Sequence, residues 1–444
     1  MRILFLTQIV PYPPDAGPKI KTWNVLRYLA AQGHDIILAS FVRAEEVQFV
    51  PILEQVCKVV HTVPIKRSRL ADIGYGLRSQ LTKRPFLIER DDLQGMHRVV
   101  GELMKSGQID CIHADQLTMT QYALPYAGRK PDTVDPVNAN NATLTPFNVA
   151  TQVNQRPILV FDAHNAVWTI VERMRQNLPL FLRPVAGLEA RRVKRYEGML
   201  VGAFDHILAV TEIDRIDLLE AASEVDGRGQ DEKIIASLFA PVTVIPIAVD
   251  TEQIQPVSRQ PGSKTILTLG TLHYPPNADG VRWFLREVFP IVRKSIPEAS
   301  LTIVGKNPPD DLIDSARENP EWVTVTGYVP DLRPYLRSSA LVVIPVRAGS
   351  GMRVRILDSF AYGMPVVTTS VGLEGIDAIP GEQVLVSDAE PDFAENVINL
   401  LQDEDLQAKL SFNGRRLVEE RYDWKAALKS LDNIYGELDE HMAE

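Results

Sequence analysis

Short apolar runs of strand length recur along this chain, separated by amphipathic segments of helix length, and the alternation is laid down twice. In the first half the runs cover residues 2–6, 35–40, 109–113, 157–162, 206–211 and 242–247. In the second half they cover residues 265–270, 299–305, 322–329, 341–346, 365–370 and 383–387. Runs that are apolar throughout suit strands buried on both faces. Strands alternating with helices need crossover connections, so they predict mainly parallel, doubly wound sheets. The helix after the first run shows Trp23, Leu26, Tyr28, Leu29 and Ala30 at helical spacing, with Gly33 where a C-cap belongs. Two such series predict two Rossmann-like α/β domains, and 444 residues supply two cores. The charged, Pro-containing stretch 250–263 reads as the linker between them. Residues 128–156, rich in Asn, Thr and Pro, break the rhythm and read as a long mobile surface insertion.

Charge and cysteine usage narrow the function. A net charge of −10 argues against nucleic acid as the main partner, because phosphate backbones need a positive footprint. The two cysteines, Cys57 and Cys111, sit in no CxxC or Cys/His cluster, so buried thiols are expected rather than zinc ligands. The opening MRILFLTQIV suits a first strand better than a signal segment. No stretch approaches the roughly 18 apolar residues of a membrane span. A cytoplasmic, reducing location is expected.

Residues 349–375, GSGMRVRILDSFAYGMPVVTTSVGLEG, carry the densest chemistry. They follow an apolar run, open on Gly349, Ser350 and Gly351, and lead into a helix expected over residues 352–362. Glycines there let the backbone approach a ligand, and a helix start offers free N–H groups to an anion. Arg353 and Arg355 fall in the first helical turn on this reading, where the helix dipole disfavours cations. Two readings stand: guanidinium forks matched to phosphate oxygens, or a solvated helix face. Asp358 reads on spacing alone as an ordinary exposed acid, with a ribose-binding carboxylate as the other reading.

The first half is less explicit. The loop after the first run holds a single glycine, Gly17, and no GxGxxG, which disfavours an NAD-dependent dehydrogenase. His113 and His164 are each expected just beyond a strand's carboxyl end, where open α/β sheets bind ligands. Each is either a proton-handling group or a structural histidine, and His164, within Asp162-Ala163-His164-Asn165, is the stronger candidate. Lys66, Arg67, Arg69, Arg78, Lys83 and Arg84 are interleaved with Leu70, Ile73, Tyr75 and Leu77. A second basic group is Arg183, Arg191, Arg192, Lys194 and Arg195. These read either as solvated faces or as surfaces for anionic lipid or a lipid-diphosphate.

The segment from residue 349 resembles the donor-site signature of family 4 glycosyltransferases. The pattern Gly-x-Gly-x-Arg-x-Lys/Arg-Ile-Leu-Glu-Ala-x-Ala-x-Gly-x-Pro-Val-Val is met by Gly349, Gly351, Arg353, Arg355, Ile356, Leu357, Asp358, Ser359, Ala361, Gly363, Pro365, Val366 and Val367. Residues 160–168, 204–214, 242–250, 270–290 and 421–431 resemble further segments of that family, which leaves out mainly residues 128–156. Two departures stand out. Asp358 replaces the second of two glutamates eight positions apart, and Ser350 replaces the first.

The resemblance implies a GT-B fold of two facing Rossmann-like domains. An acceptor-side domain would span residues 1–252 and a nucleotide-sugar domain residues 253–420. A terminal helix, residues 421–444, would return to the first domain. The donor, a nucleotide-diphosphate sugar, would be held by Ser350, Gly351, Met352, Arg353 and Arg355, with Asp358 on the ribose. His273 is the nearest basic residue after the first strand of that domain, and Gly17 would approach the phosphates from the other one. His164 is the implied catalytic residue and His113 the acceptor-side one. The implied reaction retains anomeric configuration and needs no metal and no cofactor beyond the donor. The acceptor would be a sugar or lipid-linked hydroxyl in polysaccharide or glycolipid synthesis, with a peripheral contact at the inner membrane face. Two rivals share much of this: a non-catalytic nucleotide-sugar-binding subunit, which the loss of a glutamate at Ser350 favours, and a nucleotide-sugar 2-epimerase.

Overall fold

A computed structural model describes residues 1–106, 109–128, 156–176, 178–226, 240–349 and 351–443. The insertion expected over residues 128–156 therefore lies, but for its two end residues, outside the described residues, as does Ser350. The chain divides into two compact units, Met1–Pro246 with Leu428–Glu444, and Ile247–Ala427. The stretch 250–263, read above as a linker, lies inside the second unit, where Thr251 donates from Oγ1 to Asp423 at 2.6 Å.

The first unit is built on seven parallel strands in the order β3-β2-β1-β4-β5-β6-β7. These are β1 (Arg2–Thr7), β2 (Asp35–Val42), β3 (Val59–Pro64), β4 (Cys111–Asp115), β5 (Ile158–Ala163), β6 (His206–Ala209) and β7 (Val242–Val244). The central strands are fully buried, and Leu4, Leu6, Ile112, Leu159 and Phe161 join one core with the covering helices. Edge strand β3 carries no long apolar run because half of its residues are exposed and only one is buried, so no local pattern announces it. The helix Gly17–Ala31 lays Val25, Leu26 and Leu29 on the sheet. Tyr28 of that helix donates to Asp432 of the helix Ser430–Ala443 at 2.8 Å, so the last helix is part of this unit. Cys57 and Cys111 are both buried free thiols, and burial pushes the Cys57 thiol up to about 12.

The second unit has six parallel strands in the order β10-β9-β8-β11-β12-β13. They are β8 (Thr265–Leu269), β9 (Ser300–Val304), β10 (Val323–Gly327), β11 (Leu341–Ile344), β12 (Val366–Thr368) and β13 (Leu385–Val386). Its core gathers Ile266, Leu301, Ile303, Leu341 and Val343 under Phe284, Phe289 and Phe393. Strand order reverses between β1 and β4 in one sheet and between β8 and β11 in the other. Crevices in open α/β sheets form outside the carboxyl ends at such reversals. Both groups of chemistry-bearing residues sit there.

Candidate functional site

In the first unit, three adjacent strand ends converge on a buried polar cluster. Thr7 closes β1, Asp115 closes β4, and Asp162 precedes the last residue of β5. Asp115 is fully buried, yet both of its oxygens are used. Thr7 and Thr22 donate to Oδ2 at 2.8 and 2.9 Å, and His164 Nε2 lies 2.7 Å from Oδ1. A buried carboxylate needs such partners, since an unpaired charge there is expensive. Asp162 is paired with Lys21, whose ammonium is also fully buried. Burial works against the charge on Asp162, but Lys21 and the imidazoles of His113, 3.6 Å away, and His164 outweigh it and hold the carboxyl below the usual range.

His164 follows β5, as expected, and is 8% exposed. Its bond to the Asp115 carboxylate makes Nε2 the protonated nitrogen, and Nδ1 has no hydrogen-bond partner among the described residues. The ring is thus fixed through one nitrogen, while the other is buried. His113 corrects the reading above: it does not follow a strand but lies in the middle of β4, fully buried. The strand is shifted because Asp115, with its three donors, can be buried inside it. His113 stacks on Phe5 at 4.2 Å and bonds Tyr435 through Nδ1 at 2.6 Å, tying the last helix to the sheet. It has no surface on which to meet an acceptor. Gly17 is the first residue of the helix Gly17–Ala31, directly after the loop that follows β1.

Sequence reasoning missed Lys21, Asp115 and Asp162 as a connected set. One signal was available: Lys21 shares a helix face with Val25 and Leu29, and a lysine on an apolar stripe needs a buried acid. His113, Asp115 and Asp162 also bring one ligand-type atom each within 4.8 Å of one another. That donor set would suit a divalent cation, but Lys21 already places a cation on Asp162, and Asp115 is saturated by its donors.

In the second unit, the segment after β11 has the left-handed backbone that glycine allows. Gly349 and Gly351 take φ of 121° and 79°. A Cβ on Gly349 would stand 3.3 Å from the Arg353 guanidinium. The helix runs over Val354–Ala361, shorter than expected, so Arg353 occupies the capping position rather than the first turn. Its guanidinium donates back to the Gly351 carbonyl, which holds the turn open ahead of the helix. Met352 is buried beneath it. Arg355 is in the first turn, half-buried, and donates from Nη2 to Thr271 Oγ1 at 3.1 Å. That bond joins the helix to the loop after β8. Asp358 is half-buried, and its side chain accepts no hydrogen bond from the described residues. Burial raises it to about 6, against the pull of Arg355. His273 is exposed in the loop after β8, with Nδ1 3.5 Å from Asn307 Nδ2.

Glycine-led turn, free helix N–H groups and two guanidinium forks make an anion-binding arrangement, and Asp358 offers unoccupied acceptors on the same helix. Residues 263–403 match the model of the family Glycosyl transferases group 1. Over those residues the second unit is similar to that family, and the two parallel sheets are those of the GT-B fold. A sucrose-phosphate synthase from Thermosynechococcus elongatus superposes with a TM-score of 0.64 at 14% identity, covering 99% of this chain and 100% of that one. Anabaena Alr3699/HepE, solved with UDP, gives 0.62 at 13% identity over 98% and 100%. WaaG, a glycosyltransferase involved in lipopolysaccharide biosynthesis, gives 0.59 at 14% identity over 98% and 100%. These likenesses establish the fold.

Among curated sequences, an uncharacterised 44.6 kDa protein in the cps region of Klebsiella pneumoniae is 29% identical over 37% of this chain and 44% of its own length. A phosphatidylinositol N-acetylglucosaminyltransferase component from Arabidopsis thaliana is 27% identical over 42% of each. The chain thus spans less than half the length of these relatives.

Proposed function

We propose that the protein transfers a glycosyl group from a nucleotide-diphosphate sugar to a hydroxyl of a sugar or lipid-linked acceptor. The observation that carries this reading is the glycine-opened turn at Gly349 and Gly351 leading into Arg353 and Arg355, inside the group 1 match. Negative charge grows on the departing diphosphate, and preorganised N–H groups and guanidinium forks stabilise it without reorganising. Asp358, ionised, accepts the ribose hydroxyls. In the first unit His164, oriented by Asp115, lies beside the reacting sugar or acceptor. The charge-stabilising groups are protein-borne, so the transfer runs without a metal, and it retains anomeric configuration in polysaccharide or glycolipid synthesis at the cytoplasmic membrane face.

The test combines binding and turnover. UDP-, GDP- and ADP-sugars are screened by thermal shift, and the donor that stabilises is offered with sugar and lipid-linked acceptors. A ligand at 100 times its dissociation constant adds about 2.7 kcal/mol. A stabilising donor that is neither transferred nor altered would favour the non-catalytic binder instead. Turnover of the donor without an acceptor to a 2-epimer would favour the epimerase.

A further inference from the structure

One helix of the first unit is inside out. Arg69–Thr82 places Leu70, Ile73, Leu77 and Leu81 at spacings of three and four, hence on one face, and they are 64–84% exposed. Its one buried residue is polar Ser79, whose hydroxyl donates to the Arg84 carbonyl at 2.7 Å. A helix that packs by its apolar stripe does the reverse. The neighbouring helix Arg183–Ala203 is tied to it by Arg192, which donates to Gln80 at 3.0 Å. At the start of that second helix Leu180, Phe181 and Val185 are 58–77% exposed. Contiguous apolar patches of this kind mark interaction sites rather than ordinary surface.

The charge around the stripe identifies the partner. Residues 66–84 hold six cationic side chains and one acid, Asp72, in a chain of net charge −10. Arg67, Arg78 and Arg84 are partly neutralised by Asp91, Glu89 and Asp92. Lys66, Arg69 and Lys83 are exposed and have no acid within ion-pair distance among the described residues. A second copy seated on this face would bring two such cationic rims together. A bilayer with anionic headgroups satisfies both components, burying the stripe and meeting the cations.

We infer that the helix Arg69–Thr82 docks the protein on an anionic lipid surface, with the exposed apolar residues at the start of the helix Arg183–Ala203 as a second contact. This rests on the reading above only for its purpose, delivery of a lipid-linked acceptor. The stripe is itself independent of the donor site.

The experiment is co-sedimentation of the full chain with vesicles of phosphatidylcholine alone or with 30–50% phosphatidylglycerol, roughly the anionic range that reveals a polybasic contact. Binding to the anionic vesicles is expected, weakening with salt. L70Q/I73Q/L77Q/L81Q should reduce it at least tenfold, and K66E/R69E/K83E should abolish the preference for phosphatidylglycerol. Both variants alter exposed side chains, and circular dichroism with the donor thermal shift checks that they fold as before. Wild-type protein that stays in the supernatant, or a glutamine variant that binds as well as wild type, overturns the proposal. So does a dimer in solution that the glutamine variant dissociates. Loss of the donor response with vesicle binding intact would overturn the activity reading and leave this surface standing.

Discussion

Both units put their polar residues at the carboxyl ends of parallel strands, beside the point where strand order reverses, but they assemble them in opposite ways. In the first unit the site is a set of buried side chains that satisfy one another: Lys21 with Asp162, and Thr7, Thr22 and His164 with Asp115. In the second it is a backbone feature, two left-handed glycines before a short helix, with guanidinium groups and a carboxylate set around it. The first arrangement fixes geometry and needs its charges for stability. On the function proposed above, the second receives a ligand, so its residues matter less to folding. Mutations should separate the two.

The largest effect is expected at Lys21. Lys21→Met leaves Asp162 charged and buried without its partner, which should destabilise the fold by about 3–5 kcal/mol, measured by denaturant unfolding. A change below about 1 kcal/mol would show that Asp162 is rescued by His113 or water, and the contrast between the units would shrink. Arg353→Ala should leave the unfolding midpoint of the free protein within about 0.5 kcal/mol and remove most of the donor-induced stabilisation. A variant that still responds fully to the donor would move the phosphates away from this turn.

Asp115→Asn keeps an acceptor for Thr7 and Thr22 but no longer fixes which nitrogen of His164 carries the proton. Turnover should fall on the order of a hundredfold while the donor thermal shift persists, and the pH–rate profile should change shape. An unchanged profile with normal turnover would reduce His164 to a structural role.

The smallest effects are those of pH, and they have opposite signs in the two units. Asp162 has a depressed pKa in the folded state. Its contribution is therefore present above the unfolded carboxylate value, about 4, and is lost as pH falls below that. Asp358 is raised to about 6, so the folded state holds its proton more tightly than the unfolded one. Stability from this group is greatest below about pH 4 and declines as pH rises to about 6, above which it is level. Donor binding should run the other way, because ribose hydroxyls need the ionised carboxylate: affinity should fall as pH drops through about 6. Asp358→Asn should flatten both curves between pH 4 and 6, with titration calorimetry and thermal melts as the readouts. A donor affinity indifferent to pH across that window would remove Asp358 from the ribose.

How much of this was visible in the chain depended on sequence distance. The glycine turn, Arg353, Arg355 and Asp358 lie within ten residues, so their order alone announces them. Even so, the arginines were misplaced by two positions along the helix, because Arg353 turns back onto the Gly351 carbonyl instead of joining the first turn. Lys21 and Asp162 are 141 residues apart, and His113 and Tyr435 are 322 apart. No local pattern links such residues. The edge strand Val59–Pro64 escaped for a related reason, since a half-exposed strand is not selected for a long apolar run.

The amino-acid order by itself determined the two parallel α/β layers and the glycine-opened turn, because burial on both strand faces and the backbone freedom of glycine are written residue by residue. Only the tertiary structure decided which polar side chains may be buried. Strand register brings Asp115 beside Thr7 and Asp162, and the helix Gly17–Ala31 carries Lys21 and Thr22 to meet them. It also decided that the apolar stripe of the helix Arg69–Thr82 faces outward: periodicity shows that a stripe exists, and packing alone shows which side it is on.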